Sequence, residues 1–584
     1  MTRSSARVSA SRSLLPSLLV AAAAVLPLSA QDYEQIAPKP VPTTPSRDPL
    51  PPEPPPPSGD DSPLLENLRG VRILDSVEAV RAGGASVEGL ELATTNPLLS
   101  TEAFRTLLEP RLGRPLSLRD IDALSRDIVL YFRAQDRPLV DVVVPEQDIT
   151  GGVLQLVVVE GRVGRVRAEG NRWFSSARIE GGVRPRPGDP VVATQLLADL
   201  DWLNQNPFRS VDVLFAPGEA LGETDIVLRT QDRLPLRLYV GYENTGSELT
   251  GETRLYAGFN WGDAFGLDGQ LNYQFSVSDD FEAVRIHSMN WSQPLPWRHT
   301  LTFFGAHVRS EAEIGPFTLS GQSVQLGLRY TAPLPSTRVF AHEVYAGFDW
   351  KRADNALEFG IPITDSLTEV GQWVAGYRGT LHDSFGVTRF QIEGAYNPAG
   401  WFANQSRVDY AGSRPGAEPE FAHARLDLSR LTRLPADFTL SHAFTAQLAS
   451  TNLLPSEQLG VGGRRSVRGY EEHTLTASDE GWTIQNELRL PPFSPIGWLS
   501  ARREAGPLPP VWRDQLQFLV FYDYGRARPD DRATGYTALA SVGAGLRYTV
   551  GTRMNIQADY GHRLRDLPGD TDEGRWHLGA MLAW

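Results

Sequence analysis

Arg468 and Asp523 are the residues whose types and settings could do chemistry together. Arg468 lies in Gly462-Gly463-Arg464-Arg465-Ser466-Val467-Arg468-Gly469-Tyr470, a glycine-rich stretch that presents one arginine between a β-branched residue and a Gly-Tyr pair. Asp523 lies in Phe521-Tyr522-Asp523-Tyr524-Gly525, a strand-like run with one carboxylate among aromatics. A guanidinium fork can engage a carboxylate through two parallel bonds, which fixes direction as well as distance; a lysine would offer only a swivelling point charge. Gly462, Gly463 and Gly469 would let the loop turn and approach a wall closely. The chemistry is conformational: an ion pair that holds one loop in one place. In a wet setting such a pair contributes only about 1 kcal/mol, so its use would lie in fixing shape.

Catalytic chemistry finds no comparable support. The ten histidines are scattered, neither His-Glu-x-x-His nor Gly-x-Ser-x-Gly occurs, and Glu471-Glu472 beside His473 reads as a solvated loop. There is no cysteine, which removes disulfides, thiolate metal sites, cysteine nucleophiles and a lipoprotein anchor together. No enzyme class, metal site or cofactor is indicated. A formal charge of −14 disfavours a nucleic-acid partner, because phosphate affinity rests on arginine and lysine. The only lysines are Lys39 and Lys351, and neither follows the glycine of a phosphate-binding Gly-Lys-Ser/Thr loop.

The elements that must position the pair follow from the N-terminus onward. Arg3, Arg7 and Arg12 precede an apolar run from Leu14 to Leu28 that closes on Ser29-Ala30. Residues 1–30 therefore read as a signal peptide, and the chain leaves the cytoplasm. No later run reaches the roughly twenty apolar residues of a spanning helix. Proline recurs at Pro38, Pro40, Pro42, Pro45, Pro49, Pro51, Pro52 and Pro54 through Pro57, which predicts an extended spacer. Residues 31–83 are taken as this linker, with a short helix expected where Ser62-Pro63 precedes Leu64, Leu65 and Leu68.

From 84 to 162 the pattern is strand, helix, helix, strand, strand. Val87 to Leu92 is the expected first strand. Thr101 caps a helix bearing Phe104, Leu107, Leu108 and Leu112, and Ser117 caps another bearing Ile121, Leu124, Ile128 and Tyr131. Leu139 to Val144 and Leu154 to Val159 follow as strands. The order repeats over 163–230, so two α+β modules of one fold stand in tandem.

At about Pro235 the texture becomes alternating. Leu255, Ala257, Phe259 and Trp261 interleave with Arg254, Tyr256, Gly258 and Asn260, and Leu267 to Val277 alternates likewise. Repeated period-two segments, polar on one side and apolar on the other, are what a membrane barrel with a wet lumen requires. Residues 235–584 suit an all-β transmembrane barrel of about 16 antiparallel strands. Pro294-Leu295-Pro296 and Pro333-Leu334-Pro335 read as short turns, and 311–322 and 404–418 as longer outer loops. The last strand ends in Leu582 and Trp584, an aromatic-terminated barrel signal.

These residues carry a resemblance to the outer-membrane transporters of two-partner secretion, the haemolysin and filamentous-haemagglutinin exporters. Val467-Arg468-Gly469-Tyr470 matches their loop motif, and Phe521, Asp523 and Gly525 match their barrel-wall motif. Val144-Pro145-Glu146-Gln147-Asp148, Val159-Glu160-Gly161, Leu203-Asn204-Gln205-Asn206-Pro207 and Asn244-Thr245-Gly246 extend the likeness. The resemblance implies two POTRA domains in the periplasm (84–162 and 163–230, each β-α-α-β-β), ahead of a 16-strand barrel in the Gram-negative outer membrane. It implies secretion of a large exoprotein partner, haemolysin- or adhesin-like, with outer-membrane lipid and the barrel assembly machinery as further partners and no nucleic acid. Membrane-protein assembly and insertion, a function of the same superfamily, is the alternative. Many relatives carry a pore-plugging N-terminal helix; the proline content of 31–62 predicts none here and an open resting pore.

Overall fold

The computed structural model describes residues 33–42, 54–220, 222–315, 317–337, 339–358, 362–475, 478–502, 513–529, 535–567 and 572–584. The expected signal peptide and the prolines of 43–53 lie outside these residues. Two compact units form, one from residues 42–234 and one from 235–584 together with the N-terminal residues up to Val41. One helical turn, α1 (Tyr33–Ile36), belongs to the second unit.

Within 42–234, the first sheet has the order β3-β2-β6-β5, formed by β2 (Gly70–Leu74), β3 (Gly89–Ala93), β5 (Val140–Val143) and β6 (Val153–Glu160). A two-strand ladder joins β1 (Pro63–Leu65) to β4 (Leu116–Ser117). Helices α2 (Glu102–Leu108) and α3 (Leu118–Ala134) cover the sheet, burying Phe104, Leu108, Ile121, Leu124, Ile128 and Phe132 against Val71, Ile73, Leu154 and Leu156. Thr101 caps α2 by accepting from the Phe104 amide at 3.2 Å, and Pro110 prevents its extension. Ser117 and Asp120 form a reciprocal capping box on α3. The second sheet, β7-β9-β8, is built from β7 (Arg162–Glu169), β8 (Arg209–Pro217) and β9 (Glu223–Asp232), with α4 (Ser176–Gly181) and α5 (Ala193–Leu203) between β7 and β8.

The pairings correct two expectations. In the second module β7 runs parallel to β9 and β9 antiparallel to β8. In the first, β2 holds the place of β7, parallel to β6, which is antiparallel to β5. Gly70–Leu74, ahead of residue 84, thus adds to the sheet a strand that was not expected, and the expected 87–92 strand forms as β3, its parallel edge. Strand β2 is buried on both faces, so it lacks the alternation that would have marked it. The segment expected as a helix after Ser62 is instead β1, because two turns are too short to nucleate alone and a ladder partner stands at Leu116.

The second unit is a closed barrel of sixteen strands, from β10 (Leu236–Glu243) to β25 (Gly574–Ala583), each antiparallel to the next, with β10 pairing β25 at the seam. Alternation places Arg254, Tyr256 and Asn260 inside and buried, while Leu238, Val240, Leu326 and Trp373 stay exposed outside, as a lipid-facing surface requires. At the end where β10 starts the chain turns within 265–268, 295–299, 334–339 and 384–385; at the other end it runs through 398–420 and 450–479. Short turns mark the periplasmic end and long loops the external one. Residues 311–314 and 317–322 are strand, not loop: β14 (Thr300–Ile314) and β15 (Phe317–Pro333) pair up to Ile314 and Phe317. Above the membrane both faces of a hairpin are polar, so its strands look like loop. Within 404–418, α6 (Arg407–Ser413) forms under a Ser406–Asp409 capping box and buries Tyr410 against Val370, Phe421, Leu453 and Leu454.

Candidate functional site: a buried arginine latch inside the barrel

Between β20 (Thr439–Ala449) and β21 (Glu480–Arg489), residues 450–475 pack inside the barrel, where Leu459, Val461, Val467 and Tyr470 are buried with the wall residues Ala527 and Leu539. The wall strand β22 (Asp514–Arg528) buries Leu519, Phe521, Asp523, Gly525 and Ala527, while Phe518, Val520 and Tyr522 are exposed. Period two thus puts all three residues of the wall motif on the inner face.

Arg468 meets Asp523 as expected from their chemistry. Its Nε donates to Asp523 Oδ2 at 2.7 Å, its Nη2 to Oδ1 at 2.9 Å, and its backbone N–H to Oδ2 at 3.1 Å. The guanidinium carbon lies 3.6 Å from the Phe521 ring centroid, a cation–π contact. Gly525 supplies space: a Cβ there would lie 2.8 Å from methyls of both Val461 and Val467. Gly469 has φ +90°, and a Cβ on it would lie 2.8 Å from the Gly561 carbonyl oxygen. Its N–H donates to His577 Nε2 at 2.9 Å, and its carbonyl accepts from Arg563 Nε at 2.6 Å. The Tyr470 hydroxyl donates to the Arg565 carbonyl at 2.6 Å, and the Arg563 guanidinium lies 4.9 Å from the ring centroid. Gly462 and Gly463, at φ +103° and +99°, make the turn that brings the arginine in.

The surroundings differ from the wet lumen expected. Arg468 is 1% exposed and Asp523 0%. Arg468 Nη1 also donates to Glu487 Oε1 at 2.7 Å and stands 3.6 Å from Asp559 Oδ2 on β24 (Met554–Arg563). Arg547 on β23 (Thr537–Val550) forks onto Asp559 at 2.6 and 2.9 Å, and Arg489 reaches Glu487 at 2.7 Å. Three guanidiniums therefore face three carboxylates on neighbouring strands. Removing one partner from a buried pair costs about 3–5 kcal/mol, because the other charge is left buried and uncompensated, against about 1 kcal/mol for a solvated pair.

Further anchors reach along the loop. Glu457 is buried and receives Lys351 Nζ at 2.7 Å and Gln372 Nε2 at 3.0 Å. Asp479 takes a two-pronged bond from Arg414, at 2.5 and 2.7 Å. Glu471, Glu472 and His473 are not a solvated group: Glu471 pairs with Arg575 at 3.0 Å, Glu472 accepts from the Arg464 amide at 2.8 Å, and His473 bonds Gln35 at 2.9 Å.

The N-terminal residues occupy the same interior. Ile36 packs on Val284, Ile286, Ala306 and Val308, and its carbonyl accepts from Ser288 at 2.7 Å. Lys39 Nζ pairs with Glu243 at 2.7 Å while its carbonyl accepts from Asn260 at 3.0 Å. Arg465 of the loop donates to the Glu34 carbonyl at 2.7 Å. Residues 33–42 form the single turn α1 and then an extended strap, so the interior is not the unobstructed pore expected: this strap and the loop share it. At the seam, Leu582 pairs with Val240, the Trp584 amide donates to the Leu238 carbonyl at 2.9 Å, and Asn244 clamps β25 by bonding the Trp576 carbonyl and the Leu578 amide at 2.7 and 2.6 Å.

A family model described as haemolysin secretion/activation protein ShlB/FhaC/HecB matches residues 222–548, and a ShlB-type POTRA domain model matches residues 86–161. The chain belongs to the ShlB/FhaC/HecB family. Similar proteins include the heme/hemopexin transporter protein HuxB of Haemophilus influenzae strain 86-028NP, 22% identical over 510 residues that cover 84% of this chain and 85% of HuxB. The hemolysin transporter protein ShlB of Serratia marcescens is 24% identical over 450 residues, 74% of each chain. CdiB from Escherichia coli has a similar solved structure, TM-score 0.68 at 19% identity over 90% of this chain and 91% of that one. BamA from Haemophilus ducreyi is further away, TM-score 0.50 at 12% identity over 84% and 98%. The chain is accordingly a two-partner secretion transporter of the Gram-negative outer membrane, and in a ShlB/FhaC/HecB transporter the N-terminal α+β modules lie in the periplasm.

Sequence reasoning found Arg468 and Asp523 but not Glu487, Asp559, Arg547 or His577. Their only signal was phase: each is a charged or polar residue on the inner beat of its strand's alternation. Two of the family residues of the modules bond neighbouring backbone. Gln147 bonds the Gln155 amide and carbonyl, each at 2.7 Å, and Asn204 does the same for Val211 at 2.7 and 3.0 Å.

Proposed function

We propose that the transporter captures its exoprotein as an added strand on the free edges of the periplasmic sheets and passes it, extended, through the barrel once the Arg468 loop is released or displaced. The observation that carries this reading is the long free edge of β8. Among the described residues it pairs with β9 alone, along nine residues, and leaves Leu214 exposed. Backbone donors and acceptors on such an edge bind an extended chain with little demand on side-chain sequence. The shorter edge β5, with Val143 and Val144 exposed, offers a second place. Folding of the client outside supplies the direction, since no nucleotide site supports another source. No catalytic step is assigned. Outer-membrane lipid and the barrel assembly machinery, reading the strand that ends in Leu582 and Trp584, are the remaining partners. HuxB and ShlB are named for transporting heme/hemopexin and hemolysin; a large exoprotein of that general kind is the client.

Proline scanning tests the capture step. Val213→Pro and Leu214→Pro remove donors that point to opposite sides of β8, one into the β9 ladder and one to the free edge. The variant that keeps the module folded should lose client binding in a pull-down with the exoprotein's N-terminal region. Undiminished binding by that variant would rule out β8.

The BamA likeness keeps membrane-protein insertion as a second reading. Depletion separates the two: loss of an inserter lowers many outer-membrane proteins, whereas loss of this transporter should trap one client.

A further inference from the structure

Arg285 on β13 (Val284–Pro294) and Arg309 on β14 are directly opposite partners in the barrel ladder. Like charges so placed destabilise a sheet. Both are exposed while their strand neighbours Val284, Ile286, Val308 and Ser310 are buried, so both point outward. Arg285 Nε donates to the Phe281 carbonyl at 2.8 Å, and neither arginine enters an ion pair among the described residues. Two residues nearer the periplasm, His287 stands opposite His307 with ring centroids 6.2 Å apart. Tyr273 hydroxyl bonds His287 Nδ1 at 2.8 Å, and Gln322 Nε2 donates to His307 Nε2 at 2.9 Å. Beyond them the outward residues turn apolar: Met289, Trp291 and Phe303. Toward the external end β14 continues with exposed Glu311 and Glu313, so the positive charge is confined to one band at the upper limit of the apolar surface.

A repulsive arginine pair at that boundary is relieved by an anion that bridges it. We infer that Arg285 and Arg309 bind the phosphate groups of a phosphorylated glycolipid in the outer leaflet, each guanidinium engaging phosphate oxygens through its fork. The lipid, rather than free phosphate, is favoured because its acyl chains would lie along Met289, Trp291 and Phe303, whereas an exposed site in water holds a small anion poorly. The inference rests on the outer-membrane location and is independent of the latch and of client capture.

Native mass spectrometry of the full-length protein in detergent tests it, with phosphorylated lipid A, dephosphorylated lipid A and inorganic phosphate as probes. Wild type should retain phosphorylated lipid A, and R285Q/R309Q should retain about tenfold less. Dephosphorylated lipid A should bind wild type no better than the variant, and inorganic phosphate should neither bind nor displace the lipid. Equal retention by wild type and a variant with normal heat-modifiable migration overturns the site. Equal retention of both lipid forms by wild type overturns the phosphate, and displacement by inorganic phosphate overturns the lipid. Should R285Q/R309Q not fold, the single variant R309Q should retain less phosphorylated lipid A than wild type, and equal retention would overturn the site.

Discussion

Substituting Arg468 by alanine gives the sharpest measure of the latch. Asp523, with no exposed surface, would lose its donors at 2.7 and 2.9 Å and keep only the backbone N–H at 3.1 Å. Glu487 and Asp559 would be left with Arg489 and Arg547 alone. An uncompensated buried charge of this kind costs about 3–5 kcal/mol. None of the ladder bonds from β20 to β25 involves the Arg468 side chain, so the cost should appear as loop opening with the barrel intact. The opened fraction then rises about 10²–10⁴-fold. Trypsin reads this directly, because Arg464 and Arg465 lie on the loop and cleavage tracks the open population when reclosing is fast. Arg468→Ala should assemble and show heat-modifiable migration, be cut rapidly at the loop, and fail to secrete its client. Asp523→Ala should behave alike, and the double variant should fall short of additivity by about 2–3 kcal/mol. A cleavage change below about threefold, under 1 kcal/mol, together with full secretion, would refute the latch.

Three other outcomes follow from the geometry. Gly525→Leu should mimic loss of Arg468 without touching charge, since even a Cβ would press on Val461 and Val467; trypsin sensitivity equal to wild type would show that the loop does not seat there. Lys39→Ala removes the strap's ion pair with Glu243, so its channels in planar bilayers should open more often, and deletion of residues 33–42 should do so more strongly; unchanged conductance in both would mean the strap does not obstruct the pore. In the first module, the Ser117 hydroxyl and backbone N–H hold the Asp120 carboxyl below its ordinary 3.8. A carboxyl lowered on folding contributes stability that is present above its unfolded value and lost as pH falls through the folded one. Ser117→Ala should cost α3 about 1 kcal/mol at neutral pH and flatten that acid-side loss, both measured by hydrogen exchange at the α3 amides of the full chain.

The sequence alone settled what depends on local periodicity and residue type. Period two along Phe521, Asp523 and Gly525 put them on one face, the glycines around Arg468 announced a turn and a close approach, and repeated alternation announced a barrel. Capping at Thr101 and Ser117 placed α2 and α3, although Phe132, not Tyr131, completes the buried stripe of α3. What the tertiary structure decided was everything that depends on which distant segments meet. Strand β2 has no alternation because both its faces are covered, so only its parallel partner β6 reveals it. Glu487, Asp559 and Arg547 are ordinary polar lumen residues until barrel closure sets them around one guanidinium. The largest difference is solvent. Alternation says which side chains point inward but not what else enters the barrel, and here the loop of 450–475 and the strap of 33–42 both do. The loop covers the inner wall around Asp523, and that exclusion of water turns Arg468 and Asp523 from a weak solvated pair into a buried one.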